Sequence, residues 1–249
     1  MNLKGSSSND LWSAYAYGDA VKVVYYKTGH KNCSQIEIPL GIKNTVSDER
    51  FCQSLSRTKA TIFEIAACNP FEWFCTFTLD AKKADRNNLE AFRKKFSQFI
   101  RDENKKRATD EKIKYLIVPE QHKDGAWHLH GLVLGLKEGR DLLKNEFGYL
   151  DWLGYRNRFG FFSCSRIHSH IGCSNYISKY VTKNIENANE NITDIKSGKH
   201  MYFASLGLNR RTTIVHKSAG KCRVKDWDFE NEYVKIKWLP LSEIQDSEW

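Results

Sequence analysis

The sequence predicts an α+β fold built on a central, mostly antiparallel sheet of about five strands flanked by helices. Strand-like and helix-like segments alternate through the 249 residues. The connections in the middle of the chain are hairpin-like, with Asp and Gly at the turn. The stretch from Asp85 to Arg107 carries Leu89, Phe92, Phe96, Phe99 and Ile100 at helical spacing, an apolar stripe suited to covering a sheet.

Taken in order, the elements are these. The opening GSSSND reads as a loose terminus, and AVKVVYYKTG reads as one or two strands with a Gly stop. TIFEIAACN, which ends at Pro70, places Ile62, Ile65 and Ala66 near one face of a helix. WFCTFTLD (73–80) is short, aromatic and β-branched, the pattern of a central strand buried on both faces. A helix follows, with Asp85 as its expected N-cap. KYLIVPE (114–120) and AWHLHGLVLG (126–135) form a hairpin around the turn HKDG. LKEGRDLLKNEFGYLDWLG reads as partly helical, and a short strand is expected around Gly160 to Ser163. A helix carrying SNYISKYVTKNI comes next, followed by a loop over 186–200. The tail contains a strand-like YFASLGL, a basic loop and the strand-like VKIKWLPL. These elements predict an N-terminal extension with strands (1–60), a core (61–190) and a C-terminal extension packed on that core (191–249).

Composition narrows the function. The chain is 41% hydrophobic and 28% charged, ordinary for a globular protein. Its net charge of +9 favours a polyanionic partner, nucleic acid or an anionic membrane. The start lacks an apolar secretion signal, and no run of 18 apolar residues exists. A cytoplasmic, soluble protein with no membrane partner is therefore expected, which leaves nucleic acid. The seven cysteines include no C-x-x-C pair, which argues against a structural zinc site and for small buried hydrophobes in a reducing compartment.

Two constellations carry chemistry. His128 and His130 stand two apart in a predicted strand, so both imidazoles lie on one face while Leu129 points to the other. The HKDG turn folds Glu120 back beside them. Two imidazoles and a carboxylate with open positions suit a catalytic metal site. His122 is a second candidate for the third ligand, though it suits the turn better. His168-Ser169-His170 repeats the H-x-H spacing without a matching carboxylate turn and reads as structural. The second constellation is YISKYVTK (176–183). Tyr176 and Tyr180 are four apart, as are Lys179 and Lys183, so on a helix the two hydroxyls share a side and each phenol has a lysine nearby. A phenol can attack a phosphodiester in line when cations stabilise the charge that builds on the phosphate.

The order E-x-H-x-D-G-x-x-H-x-H, then Y-x-x-K-Y-x-x-K some 45 residues later, resembles the HUH replication initiators, or Rep proteins, most closely the two-tyrosine phage gene A type. WFCTFTLD is similar to that family's first motif, and the resemblance spans roughly residues 65–185. It implies an HUH endonuclease core of ferredoxin- or RRM-like type. It implies a metal pair His128 and His130 with Glu120 as third ligand, Mg²⁺ or Mn²⁺ as cofactor, and Tyr176 and Tyr180 as nucleophiles accompanied by Lys179 and Lys183. Tyr176 is expected to be the indispensable phenol. The activity implied is site-specific nicking and joining of single-stranded DNA at a replication origin, through a 5′-phosphotyrosine. One departure is Gly131, where the family continues with a bulkier apolar residue.

No G-x-x-x-x-G-K-[ST] loop occurs, so a host helicase and a host DNA polymerase are expected partners. Lys82, Lys83, Arg86, Arg156, Arg158, Arg210, Arg211, Lys217, Lys221, Arg223 and Lys225 are candidates to line a strand-binding groove. Trp127, Trp152 and Phe159 are candidates for base stacking or, more simply, for the core. The alternatives are a transposase or mobilisation relaxase with the same catalytic parts, a DNA-binding regulator without catalysis, and a metal-dependent phosphodiesterase that uses water.

Overall fold

The computed structural model describes residues 11–27, 46–187, 201–219, 222 and 224–245. The chain divides into two compact units, 45–209 and, from both ends together, 1–44 with 210–249. These limits differ from the expected 60/61 and 190/191 for three reasons. Helix α1 (Val46–Ala67) starts well before residue 60 and packs on the helix that carries the tyrosines. A short strand at Phe203–Ala204 pairs with residues 116–117 of the core sheet. The strands of the two chain ends pair with each other.

The unit 45–209 contains β3 (Trp73–Thr78), β4 (Lys114–Gln121), β5 (Trp127–Leu134), β8 (Phe162–Arg166) and β9 (Phe203–Ala204). They form one sheet in the order β8-β3-β5-β4-β9, with every neighbouring pair antiparallel. Helices cover both faces. On one face Phe92, Phe96, Phe99 and Ile100 of α2 (Leu89–Lys105) pack on Cys75, Phe77, Ile117, Leu129 and Val133. On the other, Leu55, Ile62 and Ile65 of α1 and Ile177, Tyr180 and Val181 of α4 (His170–Asn187) pack on Leu116, Val118 and Leu132. Each fully buried Leu, Ile or Phe contributes about 1.5–3 kcal/mol relative to exposure. The expected α+β class with an antiparallel sheet is the one observed.

Several local expectations are corrected. Helix α2 is capped by Asn88, whose side chain accepts from the Ala91 amide at 3.0 Å. Asp85 instead accepts from the Asn87 amide at 3.0 Å, a turn contact that precedes the helix. The segment after β5 is largely a second hairpin, β6 (Leu142–Lys144) with β7 (Leu150–Trp152), and only α3 (Leu153–Arg158) is helical. Its turn is set by Asn145, whose side-chain oxygen accepts from the amides of Phe147 and Tyr149, and by Gly148 at φ 80°. Strand β3 is buried on one face only. Trp73, Cys75 and Phe77 are in the core, whereas Phe74, Thr76 and Thr78 are half-buried on the other side.

The second unit is a five-stranded antiparallel sheet in the order β10-β1-β2-β12-β11. Its strands are β1 (Leu11–Tyr17), β2 (Ala20–Tyr26), β10 (Thr212–Ala219), β11 (Phe229–Glu230) and β12 (Val234–Pro240). Trp12, Ala14, Val21 and Val23 form its core. Part of the expected basic loop is therefore strand β10, held by pairing with β1.

Candidate functional site

The site begins with the β4–β5 hairpin. Its turn closes through the His122 amide donating to the Ala126 carbonyl and the Gly125 amide donating to the His122 carbonyl, both at 2.9 Å. Asp124 accepts from the Ala126 amide at 3.1 Å, and Gly125 takes φ 83°. This turn sets Glu120 directly opposite His128. On the other side of β5, Thr78 lies opposite His128 and Thr76 opposite His130. Cross-strand partners share a face. Glu120, His128 and Thr78 therefore form one row, and Val118, His130 and Thr76 the next, on the side of the sheet that carries α4.

His130 is 8% exposed, and its Nε2 donates to Glu120 Oε2 at 2.8 Å. Its Nδ1 stands 3.4 Å from Thr76 Oγ1, which sets that nitrogen as the acceptor. His128 Nε2 is hydrogen-bonded to the Thr78 hydroxyl. Burial is the main influence lowering the His128 pKa, with His122 and Arg86 adding to it and Glu120 opposing it. The neutral imidazole that results is the form that ligates a metal. The His122 ring lies 4.8 Å from that of His128, edge-on, at the exposed end of the hairpin.

Helix α4 supplies the phenols. Ile177 and Val181 face the core, so the helix docks with Tyr176 and Tyr180 toward the imidazoles. The Tyr180 ring stacks on His130 with centroids 3.9 Å apart and planes at 24°. Its hydroxyl donates to the Tyr176 oxygen at 2.8 Å. Phe74 fills the corner, 5.4 Å from the Tyr176 ring and 6.1 Å from that of His130. The two phenols differ in access, since Tyr180 is 5% exposed and Tyr176 is 51% exposed. Burial, then the hydrogen bond to Tyr176 and the charges of Tyr176 and Glu120, push the Tyr180 phenol far above its ordinary range. Tyr180 is thus a proton-bearing donor, and Tyr176 presents its oxygen to solvent.

The structure gathers Glu120, His128, His130, Tyr176 and Tyr180 at one place, with Lys179 exposed on the same helix. The side chain of Lys183 lies outside the described residues, although its backbone belongs to α4. The donor types suit a divalent cation, two imidazoles and a carboxylate on one sheet face. Their donor atoms face protein partners, however, Glu120 with His130 and His128 with Thr78. Among the described residues no three His, Cys, Asp or Glu side chains are gathered closely enough to hold a metal. His168 precedes α4, and Ser169 accepts from the Gly172 amide at 3.2 Å to start that helix, so this second H-x-H lies at a helix start.

Phe74, Thr76 and Thr78 are the site residues that sequence reasoning passed over. Their signal is the alternation within WFCTFTLD, where every second residue from Phe74 shares the His face. Of the candidate stacking residues, Trp152 and Phe159 are core, and the indole of Trp127 donates to the Asn87 carbonyl at 3.3 Å. Of the candidate groove cations, Arg86 pairs with Asp124 at 3.4 Å and Lys83 donates to the Arg156 carbonyl at 2.8 Å. Lys221, Arg223 and the side chain of Lys217 lie outside the described residues.

Residues 72–185 match the family of the replication-associated protein ORF2. The match lies wholly within the unit 45–209 and contains every candidate residue of the two constellations. It supports a rolling-circle, Rep-type replication protein and hence a DNA partner. No curated protein and no solved structure matches the chain. Among the described residues, no helix is long and apolar enough to cross a membrane.

Proposed function

We propose that this protein is an HUH-type DNA nickase of the two-tyrosine kind that starts rolling-circle replication by cutting single-stranded DNA at an origin. The observation that carries the reading is the stack of Tyr180 on His130 with its hydroxyl bonded to Tyr176, which joins the Y-x-x-K helix to the H-x-H strand. In this reading Tyr176 Oη attacks the scissile phosphorus. The phosphorus–O3′ bond breaks as the phosphorus–Oη bond forms, the phenol loses its proton, and the 3′-oxygen leaves as a hydroxyl after gaining one. The products are a 5′-phosphotyrosine and a free 3′ end.

Tyr180 donates to the Tyr176 oxygen and favours its phenolate by a charge-assisted hydrogen bond. Lys179, three residues after Tyr176 on the same helix, offsets charge on the phosphate oxygens. Glu120, His128 and His130 would hold Mg²⁺ or Mn²⁺, which when bound stabilises charge on the scissile phosphate. To serve as a ligand, His128 Nε2 must exchange the Thr78 hydroxyl for the cation. Joining reverses the attack, with an incoming 3′-hydroxyl displacing the tyrosine. A host helicase and polymerase would then extend the freed end.

Incubation with origin-containing single-stranded DNA and Mg²⁺ or Mn²⁺, followed by denaturing electrophoresis, tests the proposal. The expected result is a covalent protein–DNA adduct that Tyr176→Phe abolishes and that Tyr180→Phe retains at reduced yield. Cleavage without any adduct means that water is the nucleophile. Binding with neither product means a DNA-binding regulator. Turnover on transposon-end or transfer-origin DNA, and none on replication origins, means a transposase or relaxase.

A further inference from the structure

The hairpin β6–β7 holds three large rings where a folded surface rarely leaves them. Phe147 is 75% exposed, Tyr149 is 70% exposed, and Phe161, just before β8, is 53% exposed. They line a cleft of about 410 Å³ together with Arg156, Asn145 and Ser163, and the one acid on its rim is Glu146. Hairpin geometry explains how the rings are held. Asn145 ties down the amides on either side of Gly148, so Phe147 and Tyr149 stand on a braced turn rather than a loose loop.

The cleft is chemically directed. The Arg156 guanidinium lies 5.0 Å over the Phe161 ring, and it is anchored from below by the buried carboxylate of Asp151. Lys83 donates to the Arg156 carbonyl at 2.8 Å, which adds a second cation at the same edge. Rings with cations beside them suit a partner with flat faces and a negative backbone.

The position also fits. The Thr78 amide donates to the Phe161 carbonyl at 2.9 Å, and the Thr78 hydroxyl is bonded to His128. Phe162 points into the core, so Phe161 alternates onto the side of the sheet that carries Thr78 and His128. The exposed rings thus begin one strand away from the imidazoles, within the same unit.

We infer that Phe147, Tyr149 and Phe161, with Arg156, form a ledge on which unpaired bases of single-stranded DNA stack beside the proposed nicking site. The inference rests on that reading for its substrate. The ledge holds bases that flank the scissile phosphate, and it takes no part in bond making.

Fluorescence anisotropy of a labelled oligo(dT) of about a dozen nucleotides on the full chain tests this. Phe147→Ala with Tyr149→Ala weakens binding by roughly ten-fold or more, since each stacked base is worth a large factor. Phe147→Tyr with Tyr149→Phe keeps the rings and restores affinity. A matching DNA duplex competes poorly, because its bases are already stacked. Thermal unfolding of the alanine variant stays near that of the parent, as both rings are already exposed. The inference is overturned if the alanine variant binds oligo(dT) as the parent does. It is equally overturned if the substitutions change only self-association, which would mark the ledge as a contact between copies. Adduct formation by the parent, measured in parallel, separates this from the nickase reading. Ring-dependent binding without an adduct keeps the ledge and rejects the nickase, whereas an adduct with ring-independent binding does the reverse.

Discussion

At the scale of single residues, the site is a set of neighbours on a pleated surface. Two positions show how little room the sheet leaves. Gly131 follows His130, and a Cβ there would sit 2.9 Å from Ile117 Cγ1 and 3.0 Å from Phe77 Cε2. That is why this chain has glycine where the family it resembles carries a larger apolar residue: Ile117 and Phe77 already fill the space. Gly131→Val should overpack the core, costing about 1–3 kcal/mol. A lowered urea midpoint with an unchanged slope would show it, and an unchanged midpoint would contradict the packing described. At Gly160, φ is 147° and a Cβ would meet the Thr78 carbonyl at 2.4 Å, so glycine lets the chain pass close against the end of β3. The roles of His128, His130, Tyr176 and Tyr180 were legible from spacing because periodicity fixes which side chains share a face. The difference in exposure between the phenols was not legible, since it depends on how α4 docks. Nor was the pairing of His128 with Thr78, which depends on strand register.

At the scale of elements, the pieces with strong periodicity were legible and the pieces set by turn chemistry were less so. Helix α2 and the β4–β5 hairpin lie close to where the pattern puts them. The β6–β7 hairpin was masked because Leu142, Leu143, Leu150 and Leu153 also suit a helix, and only the Asn145 and Gly148 turn decides. An ion pair fixes this hairpin. Arg107, just after α2, donates to Asp141 at 2.5 and 3.0 Å and to the Gly135 carbonyl at 3.2 Å, with both charged side chains nearly buried. Burial alone would raise the Asp141 pKa. The hydrogen bonds from Arg107 and the Lys137 amide, with the charges of Arg107 and Arg140, bring it below the usual carboxylate value. A carboxylate depressed in the folded state adds stability that is present above its unfolded pKa, about 3.9, and is lost as pH falls through the lower folded value. Asp141→Asn should therefore lower stability at neutral pH, by about 3–5 kcal/mol for a buried pair broken on one side. It should also flatten the stability profile below about pH 4. Denaturant unfolding across that range checks both. A variant that keeps the parent's acid slope would show that the pair carries no such linkage.

At the scale of the whole molecule, the chain separates a unit that matches a replication-associated family from one that does not. The pairing of β1 and β2 with β10 and β12 joins residues some 200 positions apart, and local sequence patterns carry no information on such partners. The net charge of +9 makes a prediction of its own. If phosphates are the main partners, the logarithm of the affinity for single-stranded DNA should fall linearly with the logarithm of salt concentration. Its slope should be about −0.7 for each phosphate neutralised. A titration over salt measures this, and an affinity insensitive to salt would remove the electrostatic account of binding.

The most direct test of the central claim is mass spectrometry of the protein after reaction with origin DNA and nuclease trimming. The account predicts a nucleotide joined through a 5′-phosphate to the peptide that contains Tyr176, with modification of Tyr180 rarer because its ring is buried against His130. Cut DNA with every tyrosine unmodified, or a nucleotide carried on a residue outside α4, would contradict it.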